Sequence, residues 1–394
     1  MLIKPQTENL NAKIIICGIG GAGCNAVNSM INSGELQGVE FIAVNTDAQV
    51  LEKSLASTTI TIGKDLTKGL GAGGNPQVGR QAAEDSVEYL NEALAGSDMV
   101  FVTSGMGGGT GTGASPVIAG IAKGLGALTV GVVTKPFVFE GTRKLEVAMK
   151  GIEELKSKVD ALIVIPNQRI LEIIDRNVTF KQAMEKSDEI LKNAIQSISD
   201  IITQTGQINV DFADVKAIMQ DAGTALMGIG HSSNHETRAI DAAKMAIQSP
   251  ILDYSIDGAQ GVLITVRASA DVSMIEISEA VEVIRGYVDP NALIKMGIVI
   301  DENSGDNVSV TVLATGFKTD PLEKELSMRK NKDAQFHQYP QHAPHSNHPT
   351  PKPIESNPLP PANNTNHTFT NKKGDDEDGD IETPAFMRRR IGLQ

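Results

Sequence analysis

The sequence has few aromatic residues, only two cysteines and no tryptophan. Aromatic residues make up 4% of the 394 residues, so a folded core must be mainly aliphatic. A metal site at Cys17 and Cys24 would need further ligands nearby, and a disulfide between them would imply an oxidising compartment. We therefore expect two small buried thiols near a strand–loop junction.

The chain also lacks an excess of positive charge and any long apolar run. Its formal net charge of -13 disfavours binding to nucleic acid or directly to an anionic membrane surface. The longest apolar stretches, such as Ala161–Pro166, are far shorter than the ~20 residues of a membrane-spanning helix. The N-terminus has no apolar signal-peptide run. We expect a cytoplasmic protein with no nucleic-acid partner, which meets membranes only indirectly.

Short β-branched runs alternate with helical patterns in the first half of the chain. This alternation implies right-handed crossovers and a doubly wound α/β fold with a mostly parallel sheet, in which ligands bind at the carboxyl ends of the strands. The predicted strands are Lys13–Cys17, Gly38–Val44, Met99–Thr103, Leu128–Val133 and Ala161–Ile165, and the predicted helices are Asn25–Asn32, Gln77–Leu94, Pro116–Leu125 and Arg143–Val159.

The pattern changes in the second half. Apolar residues recur every three or four positions from Thr179 to Thr203, which predicts one long central helix. The segments after it predict a second, smaller α/β domain with a mixed sheet. Its predicted helices lie near Ala213–Asp221, Glu236–Gln248 and Met274–Tyr287, and its predicted strands are Gly261–Arg267, Ile294–Ile300 and Val308–Ala314.

The composition shifts again at Lys318, and residues 330–380 are rich in Asn, Pro, His, Lys and Asp. A metal-binding histidine tract is one alternative there, but the irregular spacing favours a disordered linker. Apolar residues return with three arginines at 381–394, which predicts a partner-binding peptide; a solubilising tail is the alternative. The predicted organisation is a flexible tail at 1–10, a nucleotide domain at 11–178, the central helix and connection at 179–208, the second domain at 209–317, the linker at 318–380 and the peptide at 381–394.

Two glycine-rich segments are candidates for binding phosphate. Gly18, Gly20 and Gly23 form a G-x-G-x-x-G pattern between the first strand and a helix, and the acidic Asp47 follows the next strand. Taken alone, this pattern indicates an NAD(P)-dependent oxidoreductase. The second segment, Gly107–Gly113, has five glycines among seven residues. We interpret it as a phosphate cradle rather than a packing feature, with hydroxyl donors from its two threonines.

No Gly-x-x-x-x-Gly-Lys-Ser/Thr motif is present, which excludes a Walker-type NTPase. Two glycine loops converging on one ligand suit a di- or triphosphate better than a nicotinamide cofactor. The segment Gly107–Gly113 reads GGGTGTG, the signature of the tubulin/FtsZ superfamily, and the chain resembles the FtsZ family over about residues 12–317. Further matching segments are Gly20–Val27, Val44–Gln49, Lys68–Gly73, Thr134–Phe137, Phe139–Gly141, Asn209–Val215 and Thr383–Met387.

This resemblance implies a GTPase that converts GTP to GDP and phosphate with Mg²⁺. It also implies head-to-tail self-assembly into the filaments of a division ring at midcell, and binding of division adaptor proteins through residues 381–394. By position, the implied phosphate contacts are Gly21, Ala22, Gly23, Cys24, Asn25, Gly107, Gly108, Gly109, Thr110 and Gly111; the ribose contact is Glu140; the guanine contacts are Asn167 and Asp188; and Asn45 and Asp47 lie near the phosphates and Mg²⁺. Without the resemblance, Asp47 reads equally well as an ordinary turn residue.

Two positions depart from the family pattern. Lys144 stands where the family commonly has a nucleotide-contacting arginine, with Arg143 one residue early. Lysine supplies charge but no bidentate fork. Met184 replaces a phenylalanine that often packs on the guanine, and it keeps contact without ring stacking.

Asp211 and Asp214 follow the long helix. Their plain interpretation is a helix N-cap and a first-turn charge. Asp188 is expected near the nucleotide, and Asp211 would lie roughly 30–35 Å from it along the helix, too far to reach the phosphates of its own subunit. The resemblance implies that both acids act on the neighbouring subunit's GTP. A non-polymerising nucleotide-binding module, or a regulatory relative, remains the alternative.

Overall fold

The computed structural model describes residues 12–174, 177–203, 210–301 and 304–327. Their strands are β1 (Ile14–Ile19), β2 (Val39–Asn45), β3 (Thr58–Thr61), β4 (Met99–Gly105), β5 (Leu128–Lys135), β6 (Ala161–Pro166), β7 (Gly223–Ser232), β8 (Gly261–Ala268), β9 (Leu293–Ile300) and β10 (Val308–Thr315). These strands form one sheet in the order β3-β2-β1-β4-β5-β6-β7-β10-β8-β9.

The helices lie mostly between successive strands. They are α1 (Gly20–Ser33), α2 (Ala48–Glu52), α3 (Lys64–Thr67), α4 (Pro76–Glu84), α5 (Val87–Leu94), α6 (Thr110–Gly124), α7 (Thr142–Lys156), α8 (Asn167–Ile173), α9 (Phe180–Thr203), α10 (Phe212–Met219), α11 (Arg238–Ile247) and α12 (Met274–Arg285), with a short 3₁₀ turn at Val138–Glu140. In the part of the chain that the structure describes, no helix is long and apolar enough to cross a membrane.

The sheet is parallel from β3 to β7, and both of its faces are covered. Alternate residues of β1 show this directly. Ile14 and Ile16 belong to a core shared with α1 and α9, whereas Ile15 and Cys17 belong to a core shared with α4, α6 and α7. The predicted doubly wound, mostly parallel sheet is confirmed, because a strand buried on both faces requires a continuous apolar run.

The second half of the sheet is mixed, as predicted. Strand β10 runs antiparallel to β7 and β8, and β9 pairs parallel with β8 at the far edge. The sequence patterns did not predict β7 or the short edge strand β3. Strand β7 is rich in small residues, since Gly228 and Gly230 lie against the backbone of α11. It joins the two halves into one sheet that runs across the predicted domain boundary.

The central helix is α9, close to its predicted bounds. Its apolar face, which includes Ile190, Ala194 and Ile198, is fully buried in the core on one face of the sheet. The helix contacts α1 of the first half and β9 of the second. Because it spans 24 residues, its axis is about 36 Å long.

Three predicted helices have clearly different bounds in the structure, and the first of them, predicted from Asn25, begins at Gly20. The helix predicted at Gln77–Leu94 is two helices, separated at Ser86, whose hydroxyl accepts a hydrogen bond from the N–H of Gly63. The helix predicted from Pro116 begins earlier, at Thr110, so that Pro116 lies inside α6. The glycine signature is therefore partly helical, which glycine content alone argues against.

The first ten residues of the predicted linker, 318–327, also differ from expectation. Residues 321–327 are helical, and Leu322 and Leu326 are buried in the core that β1 shares with α6 and α7. Asp320 accepts a hydrogen bond from the Thr224 hydroxyl at 2.7 Å and pairs with Lys156 at 2.9 Å. The folded part thus extends at least to 327. The predicted tail at 1–10, the rest of the predicted linker and the peptide at 381–394 lie outside the described residues.

Candidate nucleotide site

A cavity of about 290 Å³ lies at the carboxyl ends of β1, β4, β5 and β6. Ligands of open parallel sheets bind at this edge. A larger groove of about 660 Å³, between β3 and α5, contains neither glycine loop. The residues that line the first cavity are Ile19, Gly20, Gly21, Ala22, Gly105, Met106, Gly108, Gly109, Thr110, Gly111, Thr134, Pro136, Glu140, Lys144, Asn167 and Met184.

Nine of the sixteen residues assigned from sequence as nucleotide contacts line this cavity. Those that line it are Gly21, Ala22, Gly108, Gly109, Thr110, Gly111, Glu140, Lys144 and Asn167. Gly23, Cys24, Asn25, Asn45, Asp47, Gly107 and Asp188 do not line it. Asp211 and Asp214 lie beyond the other end of α9.

The first glycine loop is the tight turn from β1 into α1. Gly20 has a φ of 72°, in the left-handed region that favours glycine. A Cβ on Gly23 would come within 2.5 Å of the Thr103 carbonyl oxygen, so glycine is also needed where α1 crosses β4. No side chain caps the N-terminus of α1. Its first-turn N–H groups, at Gly21 and Ala22, therefore face the cavity as an anion site.

The second loop leads from β4 into α6, whose N-terminus also has no side-chain cap. The two loops touch, because a Cβ on Gly20 would lie 2.8 Å from the Gly111 nitrogen. Two uncapped helix N-termini on adjacent strands thus converge on one cavity, which gives a site for a polyphosphate. The N–H of Gly107, however, donates to the Thr112 hydroxyl at 2.9 Å. This N–H group therefore stabilises the loop and is not directed into the cavity.

The interpretation that the five glycines of the signature are not a packing feature is wrong for four of them, because a Cβ on Gly107, Gly109, Gly111 or Gly113 would lie within 2.9 Å of a backbone atom. A Cβ on Gly113 would come within 1.9 Å of the Pro76 carbonyl oxygen, and one on Gly109 within 2.9 Å of the Asn75 nitrogen. Helices α4 and α6 cross in direct backbone contact at these points. By contrast, a Cβ on Gly108 would meet no atom within 4 Å, because this residue faces the open cavity.

The end of β2 supports the cradle from behind. The Thr46 and Thr110 hydroxyl oxygens are 2.6 Å apart, a link that sequence reasoning missed although Thr46 lies within the matching segment Val44–Gln49. The Asp47 carboxylate caps α2 by accepting from the Gln49 N–H at 3.0 Å. This is the local role of an ordinary turn residue. Asn45 accepts from the Asp47 N–H at 3.2 Å.

Both cysteines are free and buried, as expected. The Cys24 thiol points back toward the carbonyl oxygens of Gly18 and Val44, so only its backbone remains for a ligand. Burial raises the pKa of this thiol to about 11, and burial raises that of Cys17 further. Neither thiol is a nucleophile near neutral pH.

Lys144 provides the positive charge among the residues that line the cavity. Its ammonium pairs with the Glu140 carboxylate one helical turn earlier. Glu140 also accepts a hydrogen bond from the Phe137 N–H at 2.8 Å, which closes the 3₁₀ turn. Arg143 is exposed and does not line the cavity. Lys144, and not Arg143, is therefore the basic residue that lines the cavity.

The far wall is built by α8 and the start of α9. The Ser187 hydroxyl donates to the Asn167 Oδ1 at 2.9 Å, so that the Asn167 amide group is oriented with its nitrogen available to a ligand. Met184 lines the cavity, and Asp188 lies one turn further along the same face of α9. Burial, with a smaller contribution from Glu185, raises the pKa of Asp188 to about 6.

The acidic pair Asp211 and Asp214 has the local structure of a helix start, as the interpretation of an N-cap and a first-turn charge predicts. Asp211 is the N-cap of α10, and its Oδ1 accepts from the Asp214 N–H at 2.7 Å. The Asp214 carboxylate pairs with Lys295 of β9 at 2.7 Å, a contact that sequence reasoning missed. The described residues contain no group of three or more His, Cys, Asp or Glu side chains that would hold a metal ion.

The GTPase domain of the Tubulin/FtsZ family matches residues 13–175, and the C-terminal domain of the FtsZ family matches residues 223–318. An empty FtsZ dimer from M. jannaschii is 48% identical, covers 78% of this chain and 89% of its own, and superimposes with a TM-score of 0.75. A mutant of that FtsZ, in which a tyrosine replaces a tryptophan, gives the same identity and TM-score over 92% of its own chain.

A more distant structure, the GTPγS-bound protofilament of CetZ2 from Haloferax volcanii, is 19% identical and has a TM-score of 0.70. It covers 82% of this chain and 99% of its own. At that identity it supports the fold alone. The matched domains account for both halves of the sheet, and both glycine loops lie within the first of them. The chain belongs to the FtsZ family, the tubulin-like GTPases of cell division.

Proposed function

We propose that this protein hydrolyses GTP at a site that is completed by the next subunit of a head-to-tail filament. One observation carries the proposal: the nucleotide cavity lies at one end of α9, and the acidic residues Asp211 and Asp214 lie at the other end. Met184 near its start lines the cavity, whereas Asp211 follows its end. The helix is about 36 Å long, so these acids cannot reach the phosphates bound by their own chain.

The cavity suits GTP at both ends. The N–H groups at the starts of α1 and α6 would bind the phosphate oxygens, and the Lys144 ammonium would add charge. At the other end, the Asn167 amide and the Asp188 carboxylate would bind the guanine edge. A carboxylate accepts hydrogen bonds from the guanine N1–H and N2–H₂ groups, which adenine lacks. Glu140 retains lone pairs to accept from the ribose hydroxyls.

Magnesium fits this donor set only as an ion bound mainly by the nucleotide. The described residues provide no cluster of acids around the cavity, and Mg²⁺ bound through phosphates keeps water as its other ligands. Thr110 lines the cavity, and the Thr46 hydroxyl, which contacts that of Thr110, and Asp47 follow the end of β2. They would bind the ion's water shell, and the ion would offset phosphate charge during transfer.

In the filament, Asp211 and Asp214 of one subunit would meet the γ-phosphate of the next. Their carboxylates would accept hydrogen bonds from the attacking water and orient it in line with the bond that breaks. The helix N-termini in the first subunit would stabilise the charge that develops on the phosphoryl oxygens. Loss of the γ-phosphate removes one partner of this contact, so hydrolysis would weaken the interface.

The surface beside the cavity supports a protein partner. Phe139 and Phe180 are 62% and 68% exposed, and the centroids of their rings lie 6.1 Å apart. Val138 beside them is 67% exposed. An apolar cluster of this kind is typical of a protein interface. A related FtsZ, 48% identical, forms a dimer, which agrees with contact between copies of this chain.

We extend the proposal to the cell as the family suggests. The filaments would form the division ring in the cytoplasm at midcell. Residues 381–394 would bind division adaptor proteins, which would bring the filament to the membrane indirectly. Deleting 381–394 should leave GTP hydrolysis unchanged and abolish adaptor binding in a pull-down with a membrane-bound division protein.

The test of the central proposal is the GTPase rate per molecule against protein concentration, with Mg²⁺. We expect a sharp rise above a threshold, which coincides with polymer in a sedimentation assay. A flat, nonzero rate would place the active site within one chain. No activity at any concentration would instead favour a regulatory, non-hydrolysing relative.

Asp214→Ala should abolish hydrolysis but leave GTP binding intact. The matched control is Asp241→Ala, which also removes a first-turn aspartate, from α11. It should hydrolyse GTP at the wild-type rate. An Asp214→Ala protein with full activity would contradict the proposal.

A further inference from the structure

The ion pair between Lys295 and Asp214 joins the edge of the sheet to the helix of the acidic pair. The Lys295 Nζ lies 2.7 Å from the Asp214 Oδ1, and the two side chains are 33% and 32% exposed. Neither end is buried, so the pair is open to a second molecule. The resemblance to the FtsZ family assigns no role to Lys295.

The position of Lys295 is fixed by the packing of β9. Strand β9 pairs in parallel with β8, and Lys295 is in register with Leu263. Two residues further on, a Cβ on Gly297 would lie 3.5 Å from Ile201 of α9 and 3.6 Å from Val210. Residues two apart on a strand share a face. Lys295 therefore projects from the face that packs on the end of α9 and on the start of α10.

Asp214 needs such a partner because its helix fixes its backbone but not its side chain. Its N–H is held by the Asp211 carboxylate at 2.7 Å. A partly exposed aspartate on the first turn of a helix has more than one accessible rotamer. Within the described ranges, Lys295 is the charged side chain that pairs with the Asp214 carboxylate. The pair engages the Oδ1 atom of Asp214.

The charge of Lys295 matters because two carboxylates have to approach a triphosphate. Like charges at short range repel, and this repulsion is strong where water is excluded. A lysine beside the acids offsets part of it. We infer that Lys295 is a positioning residue for GTP hydrolysis. It orients the Asp214 carboxylate toward the γ-phosphate of the neighbouring subunit. This inference rests on the proposed function, because it requires Asp214 to act across the interface.

A merely structural ion pair predicts a different result. Partly exposed pairs contribute little to stability, so its loss would leave hydrolysis by assembled subunits nearly unchanged. A positioning role lowers the rate per assembled subunit and leaves GTP binding by the free subunit intact, since Lys295 lies away from the cavity. The two quantities can be measured separately.

The experiment uses the full chain with Lys295→Met, Lys295→Arg and Asp214→Ala. Lys13→Met is the matched control, because Lys13 also forms a partly exposed pair, with Glu40 at 3.3 Å, in the first half of the chain. GTP affinity is measured below the assembly threshold, and the GTPase rate is divided by the sedimented polymer. We expect Lys295→Met to bind GTP normally and to hydrolyse about tenfold to a hundredfold more slowly per assembled subunit. Lys295→Arg should restore most of the rate, and Lys13→Met should match the wild type.

A Lys295→Met polymer with the wild-type rate, alongside an inactive Asp214→Ala, would overturn this inference and leave the proposed function standing. An Asp214→Ala polymer with the full rate would overturn both. If Lys295→Met does not assemble alone, it is mixed with an excess of wild-type subunits. The rate per assembled subunit should then fall in proportion to its fraction in the polymer, and an unchanged rate would overturn the inference.

Discussion

The Ser187 hydroxyl of α9 donates a hydrogen bond to the Asn167 Oδ1, at the start of α8, over 2.9 Å. Both residues are buried, so this bond decides which end of the Asn167 amide faces the cavity. It also links α8 to α9. A serine without a direct ligand contact thereby becomes part of the proposed guanine site.

Ser187→Ala should weaken GTP binding without unfolding the protein. The change leaves Asn167 free to rotate, and we expect a loss of about 1 kcal/mol, or roughly fivefold in affinity. Titration calorimetry below the assembly threshold would measure it. The matched control is Ser197→Ala on the same helix, whose hydroxyl donates to the Asn193 carbonyl oxygen, and its affinity should not change. Equal affinities in both variants would contradict the orienting role.

The raised pKa of Asp188 predicts a pH-dependent affinity. The guanine donors need the ionised carboxylate, so GTP binding should weaken as the pH falls through about 6. Asp188→Asn should bind weakly at every pH between 5 and 8, because the amide has one acceptor and adds donors of its own. Affinity of the wild type that stays constant down to pH 5 would exclude Asp188 from the guanine contact.

The same shift predicts an effect on stability without nucleotide. The pKa of Asp188 is higher in the folded state than its ordinary value of 3.8, so between about pH 4 and 6 the folded state binds more protons than the unfolded state. Stability contributed by this group is therefore present at low pH and lost as the pH rises through about 6. Asp188→Asn should gain on the order of 2 kcal/mol relative to the wild type between pH 4 and pH 7. Urea unfolding at both pH values would test this.

The crossing of α4 and α6 predicts unequal results for two glycines of one helix. A Cβ on Gly113 would come within 1.9 Å of the Pro76 carbonyl oxygen, and nothing lies within 4 Å of one on Gly124. Gly113→Ala should therefore destabilise the protein by about 3 kcal/mol. Gly124→Ala should be neutral or stabilise it by about 0.5 kcal/mol. Thermal unfolding of the two variants would decide, and equal melting temperatures would contradict the tight crossing.

The folded end of the chain should lie after residue 318. A protein that ends at 327 retains the buried Leu322 and Leu326 and the contacts of Asp320, whereas one that ends at 318 loses them. We expect the shorter protein to lose about 3 kcal/mol of unfolding free energy, mostly from apolar burial. The protein that ends at 327 serves as the control and should match the full chain. Equal stability of the two truncated proteins would place the boundary at 318, as the composition shift suggests.

The fold of the first half could be predicted because its signals are local. Strands such as β1 and β4 are buried on both faces, and this requires an apolar run that is visible in any sequence. The long periodic pattern of α9 was equally readable, and its bounds are confirmed within one residue at Phe180. Strand β7 was not predicted from its sequence pattern. Its glycines are required by close contact with the backbone of α11, which lies later in the chain.

The site shows the same division between local and long-range information. The sequence by itself predicted two glycine loops after parallel strands and a pair of acids beyond a long helix, and the family resemblance added an acid for guanine. Only the tertiary structure decided which glycines serve helix packing, that Ser187 orients Asn167, and that Lys295 pairs with Asp214. Residue type and spacing fix local backbone geometry, but the partner of a side chain depends on which distant segments the sheet brings within about 3 Å of it.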